Sequence, residues 1–414
     1  MKRAGLSVIE QATWSLGSFA VSVLLGRSLG VDEFGLFALA LVVLHAAGGF
    51  LNSLVLDPAP IVGPANFDDQ LHRYGGLLLM VSMAAGLLLA AIGIGTWMVG
   101  EGEIAAAIGV GMLTGLPTFV SWTARRLPYL TSQPGHALAG SSTYLVGTVG
   151  GLYVWDKVAQ LTVPSALLVL GLAAAAQAVC VVALWQPTWG GVRDRSMRRI
   201  SRTQHWEYGR WFLAGETSSW ILNSGFVGFS AAALSLGAAG GYRSSQVLMR
   251  PYSVVHQGLG MFLLPRYTRI ALSSGLDGLV YHVRRVGILL ALVAAAGFGI
   301  LLFWGDTVMS LVFGVEFAEY GYVAAVMAGS MIVHAWIVAT TMALTAAGYP
   351  RDGFFGQLSS AIVSIIAGLA LGLSFGLTGL LVAMWLAVTT RAIVIQVLFR
   401  IRHRAELRSA AYPK

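Results

Sequence analysis

SSQVLMRPYSVVHQGLGMFLLP, residues 244–265, has the length and apolarity of a membrane-spanning helix, yet it carries Arg250 against Pro251 and then His256. A charged side chain at the centre of a bilayer costs about 2.5–3.5 kcal/mol on insertion scales, so such a residue faces protein, water or a ligand. A proline inside a span frees a carbonyl that has to be satisfied within the bundle. A helix with both features is expected to line a cavity, and the remaining sequence has to build that cavity.

The composition agrees with a membrane protein: of 414 residues 57% are hydrophobic and only 11% charged, against roughly 25% charged in soluble chains. Apolar runs of about 20 residues, the length that crosses a bilayer, fall near 6–26, 34–62, 75–99, 104–124, 137–155, 163–185, 210–234, 244–265, 285–304, 320–346, 354–375 and 377–399. Twelve runs predict an all-α polytopic protein. No segment has a signal-peptide pattern, so the first run is expected in the mature protein. The single cysteine, Cys180, lies inside the sixth run and can form neither an internal disulfide nor a cysteine-rich metal site.

The net charge of +8 is distributed by side. With Met1 in the cytoplasm, 22 of the 26 Lys and Arg residues, including Arg391 and Lys414, fall on the cytoplasmic side. The opposite side holds Arg27, Lys157 and Arg243 among acids such as Glu101, Glu103, Asp306, Glu316 and Glu319. This is the positive-inside pattern, and it places both termini in the cytoplasm. Nucleic acid is therefore not the expected partner, whereas the basic segment 186–209, QPTWGGVRDRSMRRISRTQHWEYG, can meet acidic lipid headgroups.

A shift of 207 residues aligns Phe19 with Phe226, Ser28-Leu29-Gly30 with Ser235-Leu236-Gly237, Leu56 with Leu263 and Pro58 with Pro265. Such a repeat implies two bundles of like orientation. The expected organisation is a bundle over 1–190, a basic cytoplasmic linker over 191–209, a second bundle over 210–400 and a tail over 401–414. Gly368, Gly372 and Gly376 fall four apart in the eleventh run and predict close helix packing.

Three sets of polar residues lie within the apolar runs. Glu10, Asp57 and Glu216 are near the cytoplasmic ends, and under the repeat Glu216 falls beside the position of Glu10. Like-charged acids at an inner gate can repel one another or carry a coupling proton; alternatively each is hydrogen-bonded in place, and Asp57 caps a helix end. His45, His256 and His334 sit 11 to 15 residues into their runs, near mid-depth. An imidazole suits a proton relay or a switchable phosphate contact, and packing is the alternative. No two of these histidines have metal-ligand spacing. Arg250, in the outer half, presents a fork suited to phosphate oxygens; its alternatives are an ion pair or snorkelling to the outer surface.

The opening of the chain resembles the bacterial polysaccharide flippases of the superfamily that also contains multidrug antiporters and lipid-linked precursor flippases. The resemblance rests on the turn made by Gly26, Arg27, Leu29, Gly30, Glu33, Phe34 and Gly35, on Asp57-Pro58, and on Arg125-Arg126 with Tyr129. It implies two six-helix bundles around a central cavity in the bacterial cytoplasmic membrane. It also implies a secondary translocase that flips an isoprenoid-pyrophosphate-linked oligosaccharide for polysaccharide biosynthesis, partnered by membrane lipids and by polymerase or export machinery. On that reading Arg250, His256, His45 and His334 bind the cargo, and Glu10, Glu216 and Asp57 gate or couple. A cation-coupled drug or metabolite antiporter of the same fold is the alternative, and a membrane enzyme such as a glycan polymerase a further one. The sequence has no P-loop, HExxH or CxxC, so no catalytic residue, metal or cofactor is expected.

Overall fold

The computed structural model describes residues 2–411, with the side chains of 2–4, 254, 257, 258, 260–262, 265 and 408–411 set aside. Met1 and Lys414, the ends of the expected topology, and the Pro265 side chain of the repeat lie outside the described residues. Every element within that range is helical, and the chain divides into two compact units, Met1–Trp220 and Ile221–Lys414.

The first unit contains α1 (Lys2–Leu51), α2 (Ala59–Phe67), α3 (Leu71–Val99), α4 (Gly102–Leu113), α5 (Gly115–Leu130), α6 (Pro134–Val158), α7 (Val163–Trp185), α8 (Gly190–Arg193) and α9 (Arg195–Trp220). The second contains α10 (Phe226–Ala233), α11 (Leu236–Leu248), α12 (Arg250–Phe313), α13 (Gly321–Ala346) and α14 (Pro350–Ala411).

Among the described residues, six segments rather than twelve are long and apolar enough to cross a membrane. Part of the difference is fusion, since Gly5–Val99 contains the first three predicted runs and Pro350–Leu407 the last two; the rest is that the runs near 137–155, 210–234 and 244–265 fall in none of the six segments. At three places glycine turns the chain without a loop. Gly30 (φ 78°), Gly275 (φ 59°) and Gly376 (φ 60°) each join two helices inside α1, α12 and α14, a region of φ that a Cβ disfavours. Gly376 is therefore a turn and not the third member of a packing stripe. Gly368 and Gly372 do pack, against Phe226 and Phe229.

The Ser-Leu-Gly triplets of the repeat both sit at turns. Ser28-Leu29-Gly30 ends at the Gly30 turn, and Ser235 caps the start of α11 by accepting from the Ala238 amide at 3.0 Å. In the first unit Tyr74, Leu127, Val181 and Trp185 form a core between α3, α5 and α7, each no more than 2% exposed. In the second, Tyr267, Leu279, Leu344 and Ile395 knit α12, α13 and α14.

The opening stretch changes its meaning in the structure. Residues 244–265 are not one span: α11 ends at Leu248, Met249 intervenes, and Arg250-Pro251 begins α12. Pro251 thus occupies a first-turn position, where its missing N–H is not needed. It breaks no helix interior.

Residues 401–411, expected as a tail, continue α14 and clasp the second unit. Glu406 accepts from the Leu276 amide at 2.7 Å and from the Tyr349 hydroxyl at 3.2 Å. Leu276 is the first residue after the Gly275 turn, so this carboxylate caps a helix start whose N–H groups otherwise lack partners. Arg402 grips Asp352 through two hydrogen bonds of 2.7 and 3.0 Å and lies over the Tyr349 ring.

The basic segment before residue 209 is likewise helix. Asp194 caps α9 by accepting from the Ser196 and Met197 amides at 2.9 and 3.1 Å. Met197, Ser201, His205 and Gly209 recur every fourth residue as its buried stripe. It rests on a π-helical turn, Asn52–Leu56, that follows α1. His205 makes the attachment: its Nδ1 is 3.0 Å from the Leu54 carbonyl and its Nε2 is 2.5 Å from the Tyr74 hydroxyl. The ring can donate to the carbonyl and accept from the phenol only when neutral. Burial lowers its pKa from the ordinary 6.5, and the Leu54 hydrogen bond opposes that shift in part. Because the folded value lies below the unfolded one, the contribution to stability is complete above pH ~6.5 and declines as pH falls through that value. Thermal unfolding in detergent should therefore show a midpoint that drops between pH 7.5 and 5.5, and His205→Gln should flatten that dependence.

Candidate functional site

Two polar sites stand out, one in each unit. In the first unit Glu10 is 1% exposed. It receives Arg125 Nε at 2.5 Å and Nη2 at 3.1 Å, the Tyr129 hydroxyl at 2.8 Å and the Ser141 hydroxyl at 2.5 Å. Arg125 also donates to Gln11 at 2.9 Å and lies 4.4 Å from the centre of the Trp14 ring, which itself stacks on Tyr144. Every feature needed to hold a buried carboxylate is present: a forked cation, two hydroxyls and an aromatic lid. Glu10 therefore joins α1, α5 and α6 as a fixed node and does not face Glu216 as one of two repelling acids.

Asp57 has its own partner, Arg126, at 2.6 Å. The adjacent Arg125 and Arg126 thus serve two different acids, with Arg126 and Asp57 the more exposed pair, at 43% and 33%. Glu216, half-buried on α9, feels the charges of both Asp57 and Arg126. Of the three acids, Asp57 and Glu216 form a group and Glu10 stands apart. His45 also belongs to this unit. It is exposed, stacks on Trp122 with ring centres 5.8 Å apart, and has its Nδ1 2.7 Å from the Leu41 carbonyl.

In the second unit a cavity of about 450 Å³ is lined by α11, α12, α13 and α14. His256 and His334 meet there edge to face, ring centres 5.6 Å apart, with Tyr252 within 6.4 Å of both. The cavity's arginines are Arg243 and Arg391. Arg250 does not line it, although it is near enough to act on the charge of Arg243.

Arg243 donates to Gln246 Oε1 at 3.3 Å, and Gln246 is fixed in turn by the Asn223 carbonyl at 2.7 Å. The Nε of Arg391 and the Nδ1 of His334 are buried without hydrogen-bond partners among the described residues, whereas the His256 ring has the Tyr252 backbone beside it. No carboxylate lines the cavity among the described residues. Two arginines and two imidazoles with spare donor capacity can receive an anion of phosphate type. Met249, Met327, Met331 and Met384 add adaptable, polarisable surface to the wall.

Neither Arg243 nor Arg391 stood out in the sequence. Charge arithmetic assigned Arg243 to an outer loop and Arg391 to the cytoplasmic side, whereas both lie within helices. The only available signal was position: Arg391 interrupts the apolar run 377–399 as Arg250 interrupts 244–265.

No protein-family model matches the chain, and neither does any curated protein sequence. Solved structures do match its fold. An inward-facing multidrug resistance MATE family transporter of the MOP superfamily superposes with a TM-score of 0.68 at 12% identity, over 97% of this chain and 99% of that one. The lipid II flippase MurJ, in its inward closed conformation, gives 0.71 at 10% identity over 95% and 87%. A MOP superfamily transporter from Pyrococcus furiosus, described as having a binding pocket of reverse polarity that suggests a different function, gives 0.57 at 12% identity over 98% and 95%. The chain shares the all-α fold of these solved structures.

The Glu10 node yields a stability test. Removing one partner of a buried ion pair strands the other charge and costs about 3–5 kcal/mol. Glu10→Ala and Arg125→Ala should each lower stability by that order in detergent unfolding, and the double variant should lose much less than the sum. Additive losses would remove the node.

Proposed function

We propose that the protein is a secondary transporter whose cargo carries an anionic headgroup, and that the cargo is an isoprenoid-pyrophosphate-linked oligosaccharide moved between membrane leaflets. The MOP fold supports a transporter. The anionic headgroup is supported by one observation above the others: the second-unit cavity offers Arg243, Arg391, His256 and His334 without a lining carboxylate among the described residues. A cation would find no counter-charge there. Diphosphate oxygens would satisfy the unpaired Nε of Arg391 and the Nδ1 of His334.

In this reading Arg243 and Arg391 take the role first expected of Arg250. The histidines adjust the cavity's donor count, and Arg250 adds field at longer range. The four methionines accommodate the varied faces of a sugar chain. The cargo's polyisoprenoid remains in the bilayer while its headgroup crosses, so the protein need enclose only the polar part.

A second reading, a cation-coupled drug or metabolite antiporter, draws on the likeness to the MATE transporter. It also draws on Asp57 and Glu216, two acids within electrostatic range of each other and of Arg126. These acids could take a coupling cation in either reading, so the cargo decides between the two.

The test is translocation in proteoliposomes loaded with a short-chain isoprenoid-pyrophosphate oligosaccharide. Arg243→Gln combined with Arg391→Gln should slow translocation at least tenfold, on the scale of two lost charge-assisted hydrogen bonds, and Arg250→Gln should slow it less. An unaltered rate in the double variant would refute the cavity assignment. Glu216-dependent transport of an organic cation with no glycolipid movement would favour the antiporter.

A further inference from the structure

A larger void, of about 740 Å³, lies in the first unit between α3, the π-helical turn Asn52–Leu56 and the start of α9. Its walls are Leu54, Val55, Leu77 and Val81, and its upper edge carries Arg198, Ser201 and Arg202. We infer that this groove is a binding site for an anionic phospholipid of the surrounding bilayer, with one acyl chain in the apolar trough and the phosphate on Arg198 and Arg202.

Four observations carry the inference, which rests on the membrane-spanning reading of the chain. First, Arg198 and Arg202 are one helical turn apart and both exposed, so their guanidinium groups overhang the same mouth. Second, the hydroxyl of Ser201 lines the groove, is buried, and has no hydrogen-bond partner among the described residues. It is placed to donate to a phosphate or glycerol oxygen. Third, Leu77 and Val81 lie 6 and 10 residues into α3, about 9 to 15 Å along it. That is acyl-chain depth below a headgroup layer at the α9 level. Val81 is 42% exposed, so the trough opens sideways. Fourth, Trp206 on the groove edge and Trp211 on the next turns are 60% and 65% exposed, as interfacial tryptophans are.

Charge complementarity selects the occupant. A zwitterionic headgroup would set its own ammonium against the two arginines, whereas a net negative phosphate has no such conflict. The bound lipid would also brace the junction where His205 ties α9 to Leu54 and Tyr74, because His205 lines the same groove.

The test titrates the purified full chain in detergent with dioleoylphosphatidylglycerol and reads retained lipid by native mass spectrometry. One phosphatidylglycerol should be held per chain under conditions that retain no phosphatidylcholine. R198Q/R202Q should weaken that binding roughly 10- to 30-fold. R195Q/R199Q removes the same charge from exposed neighbours that do not line the groove and should leave binding nearly unchanged. Val81→Trp, which fills the trough and keeps both arginines, should also abolish retention, and it decides the matter alone if R198Q/R202Q does not fold. Equal losses in the two arginine pairs would reduce the site to diffuse surface charge and overturn the inference. So would full competition by inorganic phosphate, which would mark a free-anion site, or displacement by an isoprenyl phosphate that binds more tightly, which would mark a route for the cargo's own tail.

Discussion

A guanidinium held away from bulk water needs either a carboxylate or a space that an anion can enter, because its own desolvation is too costly to leave uncompensated. The two units of this protein meet that requirement in opposite ways. In the first, Arg125 is matched to Glu10 by two hydrogen bonds, and Tyr129, Ser141 and Trp14 close the remaining directions. In the second, Arg391 keeps a buried Nε without a partner beside a cavity of about 450 Å³. One arginine joins three helices, and the other borders an open cavity. The position of the carboxylates, more than that of the cations, separates scaffold from site.

The methionine-rich wall and the paired histidines extend the same logic. An anion bound by two fixed arginines alone would be held in a single geometry. Imidazoles offer a donor that can be withdrawn, and thioethers offer contact that does not demand one shape. Transport requires a site that binds well enough to fill and loosely enough to empty. Gln246, fixed by the Asn223 carbonyl, accepts from Arg243 and so orients it.

Much of the architecture was legible because it depends on local rules. The apolar runs and the turn at Ser28-Leu29-Gly30 could be read directly, whereas Gly376, which the spacing of four joined to Gly368 and Gly372 as a packing residue, is a turn. The fusion of runs into long helical segments was not legible, since a glycine turn without a loop leaves the apolar pattern almost unbroken. The candidate sites were harder. Glu10 and Arg125 are 115 residues apart, and no periodicity connects them. Arg250 drew attention because it interrupts an apolar stretch, but Arg243, seven residues earlier, is the one that lines the cavity. His256 and His334 were picked out by depth, and the structure brings them edge to face. Depth is a property of the sequence; the facing of side chains across helices is a property of packing.

The central claim is that the cavity among α11, α12, α13 and α14 receives a phosphate-bearing headgroup. Its most direct test is an experimental structure of the full chain with an isoprenyl pyrophosphate added. The account predicts diphosphate density inside that cavity, within hydrogen-bonding distance of Arg243 and Arg391. Density for the diphosphate elsewhere, with the cavity filled by water or by a cation, would contradict it.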